Sequence, residues 1–344
     1  MARDGARHGG RGVKVIRFGV FLGLFLALCL VTSASAAKRY SYFRIGSAVD
    51  VRTATTAGTV LMGGGTDVDA AFPWMCQRSG GGDFLVIRTT GTDAYNPYIQ
   101  QLCPKENSVA TLIIPNRSEA SDPFVIRTIQ SAEALWIAGG DQSNYINYWK
   151  GTPVEDALNG LIARGVPVGG TSAGMNVLTQ FVYSALASQG VTSSDALADP
   201  FNRYITLERD FANVSILTGL LGDPHFATRE RMGRDLAFLC RIFLHGWSSM
   251  PRTISIDERT ALLIDPSGKS SVVGSSTAYF LEAPGGAQVC QPETPLTYQN
   301  IAVYRIDASG SFTLSTWKGS GGLSYTVSAN MGALSSTQSG GSIY

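Results

Sequence analysis

Charged side chains are scarce in this chain. Asp, Glu, Lys and Arg make up 15% of its 344 residues, and the formal charge is only +1. Without a basic excess there is no footprint for a polyanion, so nucleic acid is not an expected partner. Histidine is rarer still: His8, His225 and His245 are all there are. Imidazole chemistry therefore has few candidates. The five cysteines include no Cys-x-x-Cys pair, so a cysteine-held zinc is not expected, and no other metal or cofactor is implied. The longest apolar run, FGVFLGLFLALCLV at 18–31, falls short of the ~20 residues of a membrane-spanning helix. No internal repeat is visible.

Apolar residues make up 44%, a globular composition able to build a sizeable core. The short apolar run follows Arg3, Arg7, Arg11, Lys14 and Arg17 and precedes Ala34-Ser35-Ala36. That order reads as a secretory signal peptide over 1–36, cleaved to give an extracellular product. An uncleaved anchor is the rival, and stable membrane insertion is not expected. Removing five basic residues and Asp4 with the leader turns the net charge from +1 to −3. Cys29 leaves too, so Cys76, Cys103, Cys240 and Cys290 remain. An even number in an exported chain permits two disulfides in three connectivities, although Cys240 in LAFLCRIFL equally suits a buried thiol. Asn116-Arg-Ser and Asn213-Val-Ser are glycosylation triplets.

Short apolar runs alternate with helix-like ones. TVLMGGG (59–65), FLVIRTTG (84–91), ATLIIPN (110–116), ALWIAGG (134–140) and VPVGG (166–170) read as buried strands. AYNPYIQQL, PFVIRTIQSA and VEDALNGLIARG between them read as helices, as does the longer stretch 227–245. This alternation predicts a parallel sheet covered on both faces, with its site at the carboxyl ends of the strands. After Pro251 the residues favour β hairpins, and 318–344, rich in Gly, Ser and Thr, reads as a weakly ordered edge or tail. The domains expected are 37–286, catalytic, and 287–344, a β-rich extension.

The turn Gly170-Thr-Ser-Ala-Gly174 follows a strand and precedes AGMNVLTQFVYSAL, which reads as a helix. Gly-x-Ser-x-Gly in that setting is a nucleophile elbow, and Ser172 is the candidate nucleophile. A glycine-rich structural turn is the alternative. Serine needs a base. His245 ends an apolar helix, where capping suits it, while His225 sits in a Gly-Asp-Pro turn and is the better candidate. An ordinary α/β-hydrolase would place its histidine near the domain's end, and nothing after 245 serves.

Three motifs come in a set order: Ala-Gly-Gly-Asp-Gln (138–142), Gly-Thr-Ser-Ala-Gly-Met (170–175), and Asp-Pro-His-Phe followed by Arg229, Arg231, Gly233 and Arg234. Together they resemble the cyanophycinase-like serine peptidases, relatives of aspartyl dipeptidase. The resemblance spans roughly 58–283 and takes in Ser-Ile-Asp-Glu-Arg-Thr-Ala-Leu at 255–262. It implies a flavodoxin-like α/β fold related to class I glutamine amidotransferases. It also implies Ser172 as nucleophile, His225 as base and an acid between them in the chain. Asp195 is the best match, with Glu208 and Asp223 as rivals. Gly140 and Ala173 would supply oxyanion amides. Asp141, Gln142, Asp223, Arg229, Arg231 and Arg234 would contact substrate, although 229 points away from 231 and 234 on a helix. One departure concerns specificity: Pro224 stands where the family carries a substrate-linked glutamine. The expected activity is hydrolysis of short peptides, at aspartyl or isoaspartyl linkages. The assembly is compatible with a homodimer. An esterase and a non-catalytic binding protein are the alternatives.

Overall fold

The strands are built from β-branched and aromatic runs whose alternate side chains enter different layers. In the computed structural model, which describes residues 39–344, five parallel strands form the heart of the first sheet. They are β2 (Thr59–Met62), β3 (Asp83–Arg88), β4 (Ser108–Ile113), β5 (Ala134–Ile137) and β6 (Val168–Thr171), in the order β4-β3-β5-β6-β2. Val60, Met62, Phe84 and Val86 pack with Phe72 and Met75 of α1 (Ala71–Ser79) and Ile99 of α2 (Tyr95–Leu102). Leu61, Leu85 and Ile87 enter the opposite layer, with Val125 and Ile129 of α3 (Pro123–Gln130), Tyr145 and Trp149 of α4 (Gln142–Trp149), and Leu158 and Leu161 of α5 (Pro153–Ala163). The period of two thus sorts each strand into two cores. The fold is α/β, with helices on both faces and a β-rich C-terminal region.

The sheet is mixed rather than purely parallel. β1 (Ser41–Gly46) borders β4 antiparallel, and β11 (Thr260–Ile264) borders β2 antiparallel. A second sheet holds β7 (Phe181–Tyr183), β8 (Leu207–Arg209), β9 (Leu220–Asp223), β10 (Arg252–Ile256) and β13 (Ala278–Glu282). Its β9 and β10 run parallel, with Ser255 opposite Asp223. α7 (Ser193–Ala198) and α8 (Met232–Leu244) contribute Leu197, Leu236 and Leu239 to a core shared with its outer face. Residues 39–344 fall in one compact unit. The expected leader, with His8 and Cys29, lies outside the described residues. Among the described residues, no helix is long and apolar enough to cross a membrane. The four remaining cysteines pair as Cys76–Cys103 and Cys240–Cys290.

Three sequence expectations need correction. The helix after Ser172 is only α6 (Ala173–Asn176). Thr179 Oγ1 accepts the Gly222 amide at 2.9 Å and donates to the Phe181 and Asn176 carbonyls, which leads the chain into β7. Phe-Val-Tyr suits that strand better than a helix. The helix expected over 227–245 begins only at Met232, because residues 226–231 form a turn closed by the Arg231 amide on the Phe226 carbonyl at 2.9 Å. The expected tail is not loose. β14 (Tyr298–Ile306) pairs with β13. β17 (Leu323–Asn330) pairs with β14 and buries Tyr325, Val327 and Ala329. Serine and threonine merely occupy its outward positions.

Candidate active site

Ser172 stands at the carboxyl end of β6, with φ 54° and ψ −117°. A non-glycine residue pays about 1–3 kcal/mol for such a conformation. It is held by its amide bonding to the Met62 carbonyl at 3.0 Å and by the helix beginning at Ala173. Gly174 is obligatory here: a Cβ on it would collide with the Ile137 carbonyl oxygen of the neighbouring strand. The Gly-x-Ser-x-Gly pattern therefore has a steric cause as well as a chemical one.

His225 stands two residues past the end of β9, after Pro224. Its amide donates to the Gly63 carbonyl at 2.7 Å, which turns the ring toward β6. Gly64, at φ 95°, makes room, since a Cβ there would strike the imidazole. His225 Nε2 lies 2.7 Å from Ser172 Oγ, and His225 Nδ1 lies 2.6 Å from Glu258 Oε1. The imidazole is buried and Glu258 partly so. With its other nitrogen engaged by a carboxylate, the ring carries its proton at Nδ1 and presents a bare Nε2 to the hydroxyl. Burial pushes the imidazole below its ordinary pKa of 6.5, Arg229 and Arg231 push the same way, and the Glu258 hydrogen bond works against them. The net effect favours the neutral imidazole over its cation.

The other carboxylates proposed from sequence lie elsewhere. Asp195 sits on α7, where it accepts a hydrogen bond from Thr192 Oγ1 at 2.6 Å beside the helix N-cap. Glu208 pairs with Lys150 at 2.7 Å. Asp223 is fully buried between Arg231 and Arg234. Glu258 takes the position at His225 because β10 runs parallel beside β9 and ends next to it. Its own neighbour, Asp257, accepts from the Thr228 amide and Ser276 Oγ, both at 2.8 Å, and so clamps the Glu258 turn to the histidine loop. The resemblance places the acid between Ser172 and His225 in the chain; the carboxylate on the imidazole instead follows the histidine, within the stretch 255–262 that the resemblance includes. His245 ends α8, and its ring stacks on Trp247.

A cleft of about 380 Å³ opens beside Ser172, lined by Gly64, Gly65, Asp67, Arg88, Tyr95, Gly139, Gly140, Thr171, His225 and Arg229. Tyr145 Oη donates to the Ala138 carbonyl at 2.7 Å and the Gly139 carbonyl at 3.2 Å, fixing the loop that brings Gly140 to the cleft. Of the residues expected to touch substrate, Arg229 alone forms part of this wall. Arg231 and Arg234 turn inward onto Asp223, and Asp141 caps α4 through the Ser143 amide at 2.9 Å. Gln142, in the first turn of α4, is not part of the wall. Arg231 lies in the turn before α8 and Arg234 in its first turn, so the two meet at Asp223 without sharing the helix face expected from the sequence.

Three wall residues escaped the sequence reading. Arg88 ends β3 and donates to the Thr90 and Thr92 carbonyls at 2.5 and 3.0 Å. Tyr95 donates to Asp67 Oδ2 at 2.6 Å. Burial raises the Asp67 pKa and the tyrosine bond opposes that rise. The expectation of a site at the strands' carboxyl ends points to the loops 62–67 and 90–96, which hold Asp67 and Tyr95, but singles out no side chain in them and leaves out Arg88 at the end of β3. Among the described residues, no three His, Cys, Asp or Glu side chains converge as a metal site would require.

Residues 95–198 match the model of peptidase family S51. That span includes Ser172 and the Gly139-Gly140 loop but stops before His225 and Glu258. A peptidase from an acI-B1 actinobacterium has a similar fold, with a TM-score of 0.50 and 16% identity, over 76% of this chain and 98% of that one. A candidate peptidase E protein from Listeria monocytogenes EGD-e aligns with a TM-score of 0.41 and 15% identity, over 64% of this chain and 100% of that one. No curated protein sequence matches the chain.

Proposed function

We propose that this S51-like peptidase is a serine-type exopeptidase working through Ser172, His225 and Glu258. The observation that carries this reading is the hydrogen-bond chain from Ser172 Oγ through the imidazole to Glu258, opening on a cleft. Ser172 attacks the peptide carbonyl as His225 takes its proton. The imidazolium, stabilised by Glu258, then protonates the leaving amine, and water repeats the cycle on the acyl-enzyme. The amides of Gly140 and Ala173 receive the oxyanion.

The cleft charges support a short substrate carrying both an acidic and a basic group. Arg88 and Arg229 offer guanidinium forks to carboxylates, and Asp67 offers a carboxylate to an ammonium. An aspartyl or isoaspartyl residue fits that pattern. Arg231 and Arg234 are spent on Asp223, so recognition by the whole arginine cluster is not part of the proposal. Export of the mature chain, with 1–36 removed, is supported by the pairing of all four later cysteines.

The test is hydrolysis of α-aspartyl and β-aspartyl dipeptides and of cyanophycin by the purified protein, beside Ser172→Ala and Glu258→Gln. We expect Ser172→Ala to abolish cleavage. Glu258→Gln should lower kcat by about 100- to 10,000-fold, as loss of the tautomer-fixing acid does elsewhere, whereas Asp195→Asn should leave it unchanged. No cleavage of any of these, with Ser172 also unlabelled by a serine-directed phosphonate, would overturn the reading in favour of a binding protein.

A further inference from the structure

α8 begins without a cap of its own. Its N-cap is Arg231, whose side chain carries no acceptor and makes no capping bond. The amides of its first turn are met from elsewhere. Ser193 Oγ accepts the Arg234 amide at 3.2 Å, and Tyr344 Oη accepts the Met232 amide at 2.8 Å, across 112 residues. Tyr344 follows β18 (Ala333–Ser336) in a segment that is itself pinned. Tyr325 Oη donates to the Ile343 carbonyl at 3.1 Å, and Gln338 Nε2 donates to the Ser342 carbonyl at 2.8 Å.

The same tyrosine reaches the residue after the base. Its ring meets Phe226 edge-on, with centroids 5.6 Å apart, and Tyr279 at 6.2 Å. Phe226 is fully buried and also packs on Tyr279 at 4.9 Å. One side chain therefore touches both ends of the 226–231 turn: the Phe226 ring at its start and the Met232 amide just past its end. Other bonds hold the backbone of this turn. The Phe226 amide donates to the Ile256 carbonyl at 3.2 Å, and the Thr228 amide donates to Asp257 Oδ1 at 2.8 Å. Neither bond packs the Phe226 ring or satisfies the start of α8.

Arg229 rides on this turn and is the residue it supplies to the cleft wall. Its side chain is half-exposed, and among the described residues its carboxylate contact is Glu258 Oε1 at 3.5 Å. A side chain so lightly held is aimed by the backbone beneath it. His225 differs, because its amide is bound to the Gly63 carbonyl and its ring to Ser172 and Glu258. We propose that Tyr344 is a positioning residue: by holding both ends of the 226–231 turn it aims Arg229 into the cleft, and so sets the affinity for a substrate carboxylate. The inference rests on the serine peptidase reading above.

Tyr344→Ala should raise KM for an aspartyl dipeptide about 5-fold or more, with kcat within about 2-fold of the parent. Tyr344→Phe keeps the ring contacts and should keep KM within about 3-fold of the parent. An uncharged phosphonate diester has no carboxylate for Arg229, so it should label Ser172 at the parental rate in both variants. Arg229→Gln should raise the same KM, and adding Tyr344→Ala to it should raise it no further, because the two act through one group. A Tyr344→Ala enzyme with the parental KM would overturn the proposal. So would a full additional loss in the double variant, or a labelling rate that falls as far as kcat/KM, since either would make Tyr344 a general support of the fold. Hydrogen exchange needs no substrate. In Tyr344→Ala the amides of 228–232 should exchange about 10-fold faster or more, while those of β9 and β10 keep their protection. Unchanged exchange in the turn would also overturn the proposal. Failure of the parent to react with the phosphonate would count against the peptidase reading, while the exchange result would still decide whether Tyr344 holds the turn.

Discussion

At the residue scale, the site balances opposing influences on one imidazole. Burial, Arg229 and Arg231 lower the His225 pKa, and Glu258 raises it. A general base must be neutral, so activity should persist as pH falls until the imidazole protonates, and the acid limb of kcat/KM should lie below pH 6.5. Arg229 is half-exposed, and its Nε lies 3.5 Å from Glu258 Oε1. Arg229→Gln should remove one of the cations that depress the imidazole, moving the acid limb upward. It should also raise KM for acidic substrates. A pH–rate profile of the two proteins checks both; an unmoved limb would mean that solvent screens this arginine completely. Ser172 and His225 were legible from sequence because a turn motif and a shortage of histidines narrowed the choice. Glu258 was not, because carboxylates are plentiful and only the pairing of β9 with β10 selects among them.

At the element scale, the elbow works because β5, β6 and α6 approach almost without side chains between them. Gly174 marks the tightest point. Gly174→Ala would force α6 away from Ile137 and carry Ser172 with it, and overpacking of this kind costs about 1–3 kcal/mol. We expect a lower melting temperature together with a kcat loss greater than the KM change, measured by thermal unfolding and steady-state kinetics. A fully active, fully stable variant would contradict the steric account of the motif. The five parallel strands were readable as continuous apolar runs, and α2, α3 and α5 as amphipathic stretches. The expected helix runs past α6 because alanine, methionine and leucine after the serine look helical, while the bond that holds Thr179 where the chain turns into β7 comes from the Gly222 amide, 43 residues away.

At the scale of the whole molecule, one buried group makes stability respond to pH. Glu106, at the end of the sheet away from Ser172, is raised to about 7 by burial and by Asp83 and Glu133, against the bond from Ser79. The folded state thus keeps a proton that the unfolded chain releases near 4.5. Stability from this group is complete below about pH 4.5 and is lost as pH rises toward 7. Glu106→Gln should flatten that decline, as denaturant unfolding across this range would reveal. The nearby Cys76–Cys103 link spans 27 residues, and replacing both cysteines by serine should cost about 3–4 kcal/mol through loop entropy.

The sequence by itself determined the α/β alternation, the strained serine turn and the short list of bases, because these depend on local spacing and on which residue types are scarce. It also carried the alternation of β17, which its serine and threonine content obscured. Only the tertiary structure decided which carboxylate meets His225, that Arg231 and Arg234 face inward, and that Asp67 and Arg88 share the cleft with Ser172. These contacts join residues tens of positions apart, and strand order and register select them. Nothing in the local composition distinguishes an arginine that meets substrate from one that neutralises a buried aspartate.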